Sequence, residues 1–412
     1  MRIVFVYPNA YALGGIETWL TRMLPALSDM GHEVALLTRP RVEPWDVTTE
    51  VIDRLSGHAT IHLAGRHWFR GHRSIAPALP EADVLFAANL QAFLVAGLVQ
   101  RHVLPRARVV AGAFHPREYC SKSPLIQRRF GQNLTERLMR RMPAENFVVC
   151  TPGMARITGE CLGRDLSAAP VFPIPVDVER FQPREAGNAK RGKIVAVARL
   201  NPIYGHHHHM IRVIRDLRAQ GHDFTYHAYG EGPTRPELEA EVRRAGLEEA
   251  VFFHGTVPYE RFGEVVSDAF AFVGTGTALV EAAACGVPAL IALPGHREPM
   301  THGWIQDAEG NEFGGPAPGH PEYPIAERLL GLAGRSGEEY RALELASRRR
   351  AEQYDIAQLL PRFVEALERT APFSVRISAA DCVLGQLDWL LEAVLLNLGA
   401  PDGWTQRSVQ SY

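Results

Sequence analysis

Cysteine is scarce in this chain of 412 residues, and its five cysteines, Cys120, Cys150, Cys161, Cys285 and Cys382, form neither an even set nor a CxxC pair. That argues against a disulfide framework and a structural zinc site, and it suits a reducing compartment. Long apolar runs are missing as well: no uncharged stretch approaches the roughly 18 residues of a membrane span. Neither sign of charge dominates, since 44 Lys and Arg stand against 46 Asp and Glu. The net charge of −2 supplies no basic field that would make nucleic acid the leading partner. The chain opens on strand-like Ile3-Val4-Phe5-Val6-Tyr7 without the charged, apolar and small-residue order of a signal peptide, so a cytoplasmic location is expected. What is present, 46% hydrophobic and 22% charged residues, is the composition of a globular protein large enough for roughly two to three domains.

The most informative passage is Val273-Gly274-Thr275-Gly276-Thr277-Ala278-Leu279-Val280-Glu281, followed by Ala282-Ala283-Ala284-Cys285-Gly286-Val287-Pro288. It reads as a strand end, a glycine turn and a helix start. Glycines without Cβ atoms let an anion approach the backbone, and the free N–H groups and dipole of the following helix favour negative charge there. Glu281, an acceptor-only side chain, suits two neighbouring sugar hydroxyls. A second glycine turn, Gly14-Gly15-Ile16-Glu17, follows the first apolar run and repeats the same order of strand, loop and helix.

Periodicity divides the chain in two. Ile16, Leu20, Met23, Leu24 and Leu27 recur at helical spacing, Gly31 ends that helix, and residues 33–37 resume an extended pattern, which makes a βαβ unit. Further strands are expected at 83–86, 108–111 and 147–150, so the first ~180 residues read as an open parallel sheet. Residues 183–192 are polar, break every periodicity and read as a linker. The pattern then restarts, with strands at 193–198, 224–229, 251–254, 269–272 and 289–293 and helices at 207–219 and 236–245. The Gly274 turn falls at the carboxyl edge of a strand, where open α/β sheets bind ligands. The expected organisation is a domain at 1–182, a linker at 183–192, a domain at 193–355 and helices at 356–412 packing back on the first domain.

Six segments in this order carry a resemblance: Gly14-Gly15-Ile16-Glu17, Gly31-His32-Glu33-Val34, residues 173–181, Val197-Ala198-Arg199-Leu200, Gly230-Glu231-Gly232-Pro233 and Glu281-Ala282-Ala283-Ala284-Cys285-Gly286-Val287-Pro288. Together they resemble the nucleotide-sugar-dependent glycosyltransferases of the GT-B fold, family 4, over residues 1 to about 370. The resemblance implies two Rossmann-like parallel-sheet domains facing across a cleft. It also implies transfer of a sugar from a nucleotide-diphosphate sugar to a hydroxyl acceptor with retention, and no cofactor or obligatory metal. By the same resemblance Arg199 contacts the diphosphate, Glu281 the nucleotide ribose, and His115 the donor sugar or transition-state charge. Gly14, Gly15, Gly230, Gly274, Thr275, Gly276 and Thr277 line the donor.

The chain departs from the family in two places. Tyr204 stands before Gly205 where the family has Lys, and His206-His207-His208-His209 follows. Successive residues on a helix turn by about 100°, so only His206 and His209 share a side and a metal cluster is not expected. A solvated helix start is expected, with His206 as a candidate phosphate donor. Val273 stands where the family carries a first Glu, eight positions before Glu281, that meets the donor sugar. Sugar recognition then falls to backbone groups, to Thr275 or Thr277, or the donor bears fewer hydroxyls. Alternatively the chain is an inactive nucleotide-sugar-binding relative acting as an interaction subunit, or a GT-B enzyme with a pseudo-sugar donor. Trp68, Phe69, Arg70, His72 and Arg73 form an aromatic and basic stretch suited to an acceptor. Arg128, Arg129, Arg137, Arg140 and Arg141, interleaved with apolar residues, suggest a basic amphipathic helix for peripheral membrane contact and a lipid-linked acceptor, and an apolar helix at 384–395 suggests a homodimer contact.

Overall fold

The computed structural model describes residues 1–7, 15–38, 48–55, 57–63, 79–114, 119, 134–202, 205–314, 319–378, 380, 381 and 383. The described residues divide into two compact units, one built from Met1–Pro173 and residues 356–383, the other from Ile174–Asp355.

In the first unit the strands β1 (Arg2–Val6), β2 (Glu33–Thr38), β3 (Thr60–Leu63), β4 (Val84–Ala87), β5 (Arg108–Ala113) and β6 (Phe147–Val149) pair in the order β3-β2-β1-β4-β5-β6. Every pairing is parallel. Ile3, Val4, Phe5 and Val6 are all buried because helices cover both faces, so the strand reads as a continuous apolar run rather than an alternating one. The order reverses between β1 and β4, and the helix Gly15–Asp29 follows β1. Asn89 caps the helix Leu90–His102 by accepting the Ala92 N–H at 2.8 Å, and Thr151 caps Pro152–Leu162 in the same way. The late helix Ile356–Glu368 belongs to this unit: Phe363, fully buried, meets Trp19, Phe86 and Phe172 with ring centroids 5.8, 5.5 and 4.9 Å away.

The second unit holds β7 (Lys190–Val197), β8 (Thr225–Tyr229), β9 (Val251–Phe253), β10 (Ala269–Gly274), β11 (Ala289–Ala292), β12 (Met300–Trp304) and β13 (Tyr323–Pro324), ordered β13-β12-β11-β10-β7-β8-β9. The sheet expected to be wholly parallel is mixed, because β12 and β13 join its edge antiparallel. Both are short, and a short hairpin edge carries little periodic signal. Within residues 183–192, Lys190 already opens β7 and Arg184 is buried. The Arg184 side chain donates to Glu344 Oε1 at 2.6 and 3.0 Å and to the Tyr340 hydroxyl at 2.7 Å. Its polar surroundings at the sequence level gave no hint of this, since the partner lies 160 residues away.

Removing one member of such a pair strands a charge in a dry interior. Glu344→Ala is expected to cost about 3–5 kcal/mol in chemical denaturation, with much of it restored by Arg184→Met in the same chain. Full stability in the single variant would contradict the pairing.

Of the basic stretch 128–142 expected to form an amphipathic helix, the described part is 134–142, where the six-residue helix Leu134–Met139 is followed by the exposed Arg140 and Arg141 in a turn. Leu138 and Met139 are buried in the unit's own core, and Arg137 is ion-paired to Asp381. Residues 128–133, the 68–73 stretch and the 384–395 segment lie outside the described residues. Among the described residues no helix is long and apolar enough to cross a membrane. Cys150 and Cys285 are buried and outside any disulfide, whereas Cys161 is disulfide-bonded, a bond that the odd, scattered set of cysteines argued against.

Candidate functional site

In the second unit the strand order reverses between β7 and β10, the place where open α/β sheets leave a crevice at their carboxyl edge. Phe272 pairs with Val195, so continuing that register sets Gly274 beside Val197. Arg199 emerges two residues beyond β7 and is exposed, while the Thr275–Gly276 turn emerges beyond β10.

The Arg199 turn is held by its neighbour on β8. Ala198 N–H donates to Tyr229 O at 3.0 Å, Leu200 N–H to Glu231 O at 2.9 Å, and Thr234 N–H to Leu200 O at 3.1 Å. Gly230 has φ +150, and a Cβ there would lie 1.9 Å from Ala198 O. A Cβ at Gly232 would lie 2.0 Å from Leu200 O. The absent side chains therefore let two backbone segments touch, and Gly230, expected to line the donor, is buried against the Arg199 turn.

β10 ends at Gly274 and the helix Gly276–Ala284 begins after Thr275 alone. Gly276 takes φ +58, is exposed, and faces open space where a Cβ would stand. Its N–H donates to Phe313 O at 2.9 Å, so one of the helix's first amides is already engaged by the segment 308–314. Thr275 makes no side-chain cap bond, and its methyl packs against Gly314, whose own added Cβ would fall 2.3 Å away. Thr277 is half-buried in the first turn. Glu281, 4% exposed, is the carboxylate of the second turn. Burial pushes the Cys285 thiol up to about 12, with the Glu281 charge adding to it, so this cysteine is an inert neighbour. Val273, fully buried, belongs to the hydrophobic core of the unit. Counting back eight residues from Glu281 thus lands inside β10, and Thr275 alone separates that strand from the helix.

The histidine run corrects the expectation of a solvated helix start. His206, His207 and His209 are buried at 0, 1 and 4% exposure where the helix His206–Ala219 begins, and only His208 reaches outward, to Glu241 at 2.6 Å. Gly205 sits so close to the chain beyond β11 that a Cβ would lie 2.6 Å from Pro294 O. His207 Nδ1 bonds the buried Tyr226 hydroxyl at 2.8 Å. Burial drives all three below the usual imidazole range, to about 4 for His207 and His209, so they are neutral and ill-suited to pair with a phosphate. No group of three His, Cys, Asp or Glu able to share a metal occurs among the described residues.

In the first unit Gly15 opens its helix at the β1/β4 switch point, exposed and with open space at its Cα, while Gly14 and His115 lie outside the described residues. Beside Gly15 is a feature that sequence reasoning passed over as part of a motif: Tyr7 OH donates to Glu17 at 2.6 Å, both buried. The 308–314 segment was also missed; its only sequence signal is the glycine spacing of Gly310 and Gly314 beyond a strand too short to recognise. A groove of about 450 Å³ lies at the opposite, amino edge of this sheet, and its polar groups are engaged with one another: Arg2 with Glu81 and Asp83, His32 with the Met1 amine.

Comparison with known proteins agrees with the two-unit α/β fold. The model of Glycosyltransferase Family 4 matches residues 13–180, and that of Glycosyl transferases group 1 matches residues 177–303. A putative colanic acid biosynthesis glycosyltransferase, WcaL, of Escherichia coli K12 is 27% identical over 206 residues, 47% of this chain and 48% of that protein. A 2-deoxystreptamine glucosyltransferase of Streptomyces kanamyceticus is 31% identical over 94 residues, 23% of this chain and 24% of that protein. The chain thus spans about half the length, or less, of the curated relatives it matches. Among solved structures, Anabaena HepE in complex with UDP and glucose superposes with a TM-score of 0.64 at 15% identity, covering 90% of this chain and all of that one, a likeness of fold. With the two family models meeting end to end over residues 13–303 and two α/β units ordered as described, the chain belongs to the GT-B glycosyltransferases of family 4, group 1 type.

Proposed function

We propose that the chain transfers a sugar from a nucleotide-diphosphate sugar to a hydroxyl of an acceptor, with retention at the anomeric carbon. One observation carries the reading: at the switch point of the second unit an exposed arginine, a helix N-terminus and a buried glutamate all stand at the carboxyl edge of two adjacent strands. A guanidinium and main-chain amides stabilise the charge that grows on a departing diphosphate, which is the main electrostatic demand of this chemistry. In this reading Arg199 and the Gly274–Thr277 turn hold the diphosphate and Glu281 holds the ribose. His115, Gly14 and Gly15 are assigned to the sugar and diphosphate. The acceptor proton passes to the leaving phosphate oxygen, so no resident metal is called for. The UDP in the HepE complex supports a nucleoside diphosphate, and the colanic acid and 2-deoxystreptamine in the names of the two relatives support a glycoside or natural-product acceptor. A lipid-linked acceptor and a cytoplasmic location rest on the sequence reading alone.

The burial of Val273 favours a second reading, a nucleotide-sugar-binding relative without transfer activity. Donor-dependent release of nucleoside diphosphate over an acceptor panel, in the presence of a chelator, separates the two. Arg199→Ala is expected to lower kcat/KM for the donor roughly 100-fold, and Glu281→Gln to weaken nucleoside diphosphate binding roughly 10-fold. Unaltered values in both variants would remove this site from the reaction.

A further inference from the structure

Among the described residues the hydroxyl of Tyr226, fully buried in β8, has a single hydrogen-bond partner, His207 Nδ1 at 2.8 Å. A phenol can donate and accept, whereas each nitrogen of a neutral imidazole does only one of the two. Were Nδ1 the donor, the phenolic proton would be left in a dry interior with no acceptor. Burial keeps that proton on the oxygen, since it pushes Tyr226 well above the ordinary phenol range, and burial also keeps His207 neutral. Tyr226 therefore donates, Nδ1 accepts, and the imidazole carries its own proton on Nε2.

That second nitrogen is enclosed in protein and lacks a hydrogen bond of ordinary geometry. The ring nevertheless lies against one backbone group, the Arg199 carbonyl, whose presence favours its proton. With Nδ1 taken, the N–H offered to that carbonyl is the one on Nε2. Arg199 O already accepts Asn201 N–H at 3.1 Å and, having two lone pairs, can take a second donor. On its other side the same turn is tied to the chain of β8, through Tyr229 O and Glu231 O. Tyr226 and His207 thus form a buried relay that ends on the backbone of the arginine at the switch point.

We infer that His207 is a positioning residue for Arg199, held by Tyr226 with its Nε2 proton towards the Arg199 carbonyl, so that it sets the direction in which the guanidinium leaves the turn. The inference rests on the transfer reading above, in which Arg199 grips the diphosphate, and adds to it what aims the arginine. Arg199 is exposed, and a long exposed side chain gives up rotamer freedom when it binds. A backbone fixed from beneath lowers that cost and keeps the fork of donors within the small tolerance that oriented chemistry demands. Arg199 is the group that meets ligand; His207, neutral and buried, acts through it.

The test is a cycle of variants in the full chain, read with UDP, GDP and dTDP and their glucose conjugates. His207→Leu combined with Tyr226→Phe removes both ends of the hydrogen bond, so neither partner is orphaned and the melting temperature at pH 7 is expected to stay within a few degrees of wild type. The expected result is a loss of roughly 10-fold in affinity for the diphosphate that wild type binds best, and roughly 30-fold in kcat/KM for its conjugate. Introduced on top of Arg199→Ala, the same pair is expected to change either value by less than about twofold, because the guanidinium is gone while the backbone carbonyl remains. His207→Gln, which keeps a donor near the place of Nε2, is expected to retain most of the wild-type affinity. Equal losses in the two backgrounds would show a role in folding alone and overturn the inference, as would wild-type affinity and turnover in the paired variant. A wild type that binds no diphosphate, or an Arg199→Ala chain that binds and turns over as wild type does, ends the transfer reading at this site and the inference with it.

Discussion

Gly230→Ala is expected to abolish measurable nucleoside diphosphate binding and to destabilise the second unit by on the order of 3 kcal/mol. The added methyl would stand 1.9 Å from Ala198 O and 2.9 Å from its carbonyl carbon, distances no side chain can hold. Gly230 also donates its N–H to Gly255 O at 2.7 Å, so it cannot retreat without losing that bond. At φ +150 an alanine is strained even before the clash. The chain must yield on the Arg199 side, and a displacement of the guanidinium by about 1 Å is enough to cost a large part of its electrostatic effect. Calorimetric titration and denaturation of the variant read the two effects separately. An alanine variant with native melting temperature and native affinity would show that the glycine is dispensable.

The second large effect is acid sensitivity. His207 and His209 titrate at about 4 in the folded chain because burial disfavours the imidazolium, with His208 and Arg212 respectively adding to the effect; His206 is shifted the same way. In the unfolded chain each returns to about 6.5. Between those values the unfolded state binds protons that the folded state refuses, so stability rises with pH across the window and is lost as pH falls from about 6.5 towards 4. Each of the two groups contributes up to about 3 kcal/mol over that interval. The expected observation is a melting temperature of the second unit that drops on the order of 10 °C between pH 7 and pH 4.5. His209→Leu, which removes one titrating group whose Nδ1 has no partner, is expected to flatten the slope. Equal slopes for variant and wild type would assign the acid loss to other groups.

The readable part of this chain was its periodic part. Strands buried on both faces announce themselves as apolar runs, as at Ile3–Val6 in β1 and Phe270–Val273 in β10, and the amphipathic stripe from Ile16 to Leu27 gave its helix. The glycine turns at Gly15 and Gly274–Gly276 marked strand-to-helix joints, and of these glycines Gly276, at φ +58, takes a backbone conformation that favours the residue. Arg199 and Glu281 were legible by their place beside these joints.

What stayed hidden depended on partners far away in the chain. Four consecutive histidines look solvated by composition, and only the packing of their helix against β8 and the chain after β11 decided that three are buried. Gly230 was legible as a turn glycine, and only the fold showed how closely Ala198 O approaches it. Arg184 looked like a linker charge until Glu344 closed on it. The amino-acid sequence by itself determined two α/β units and the glycine-bearing joints between strand and helix, because periodicity and backbone conformation are local properties. Tertiary structure alone decided which side chains are dry and which carbonyl covers Gly276, because burial and proximity are set by residues that the chain order keeps apart.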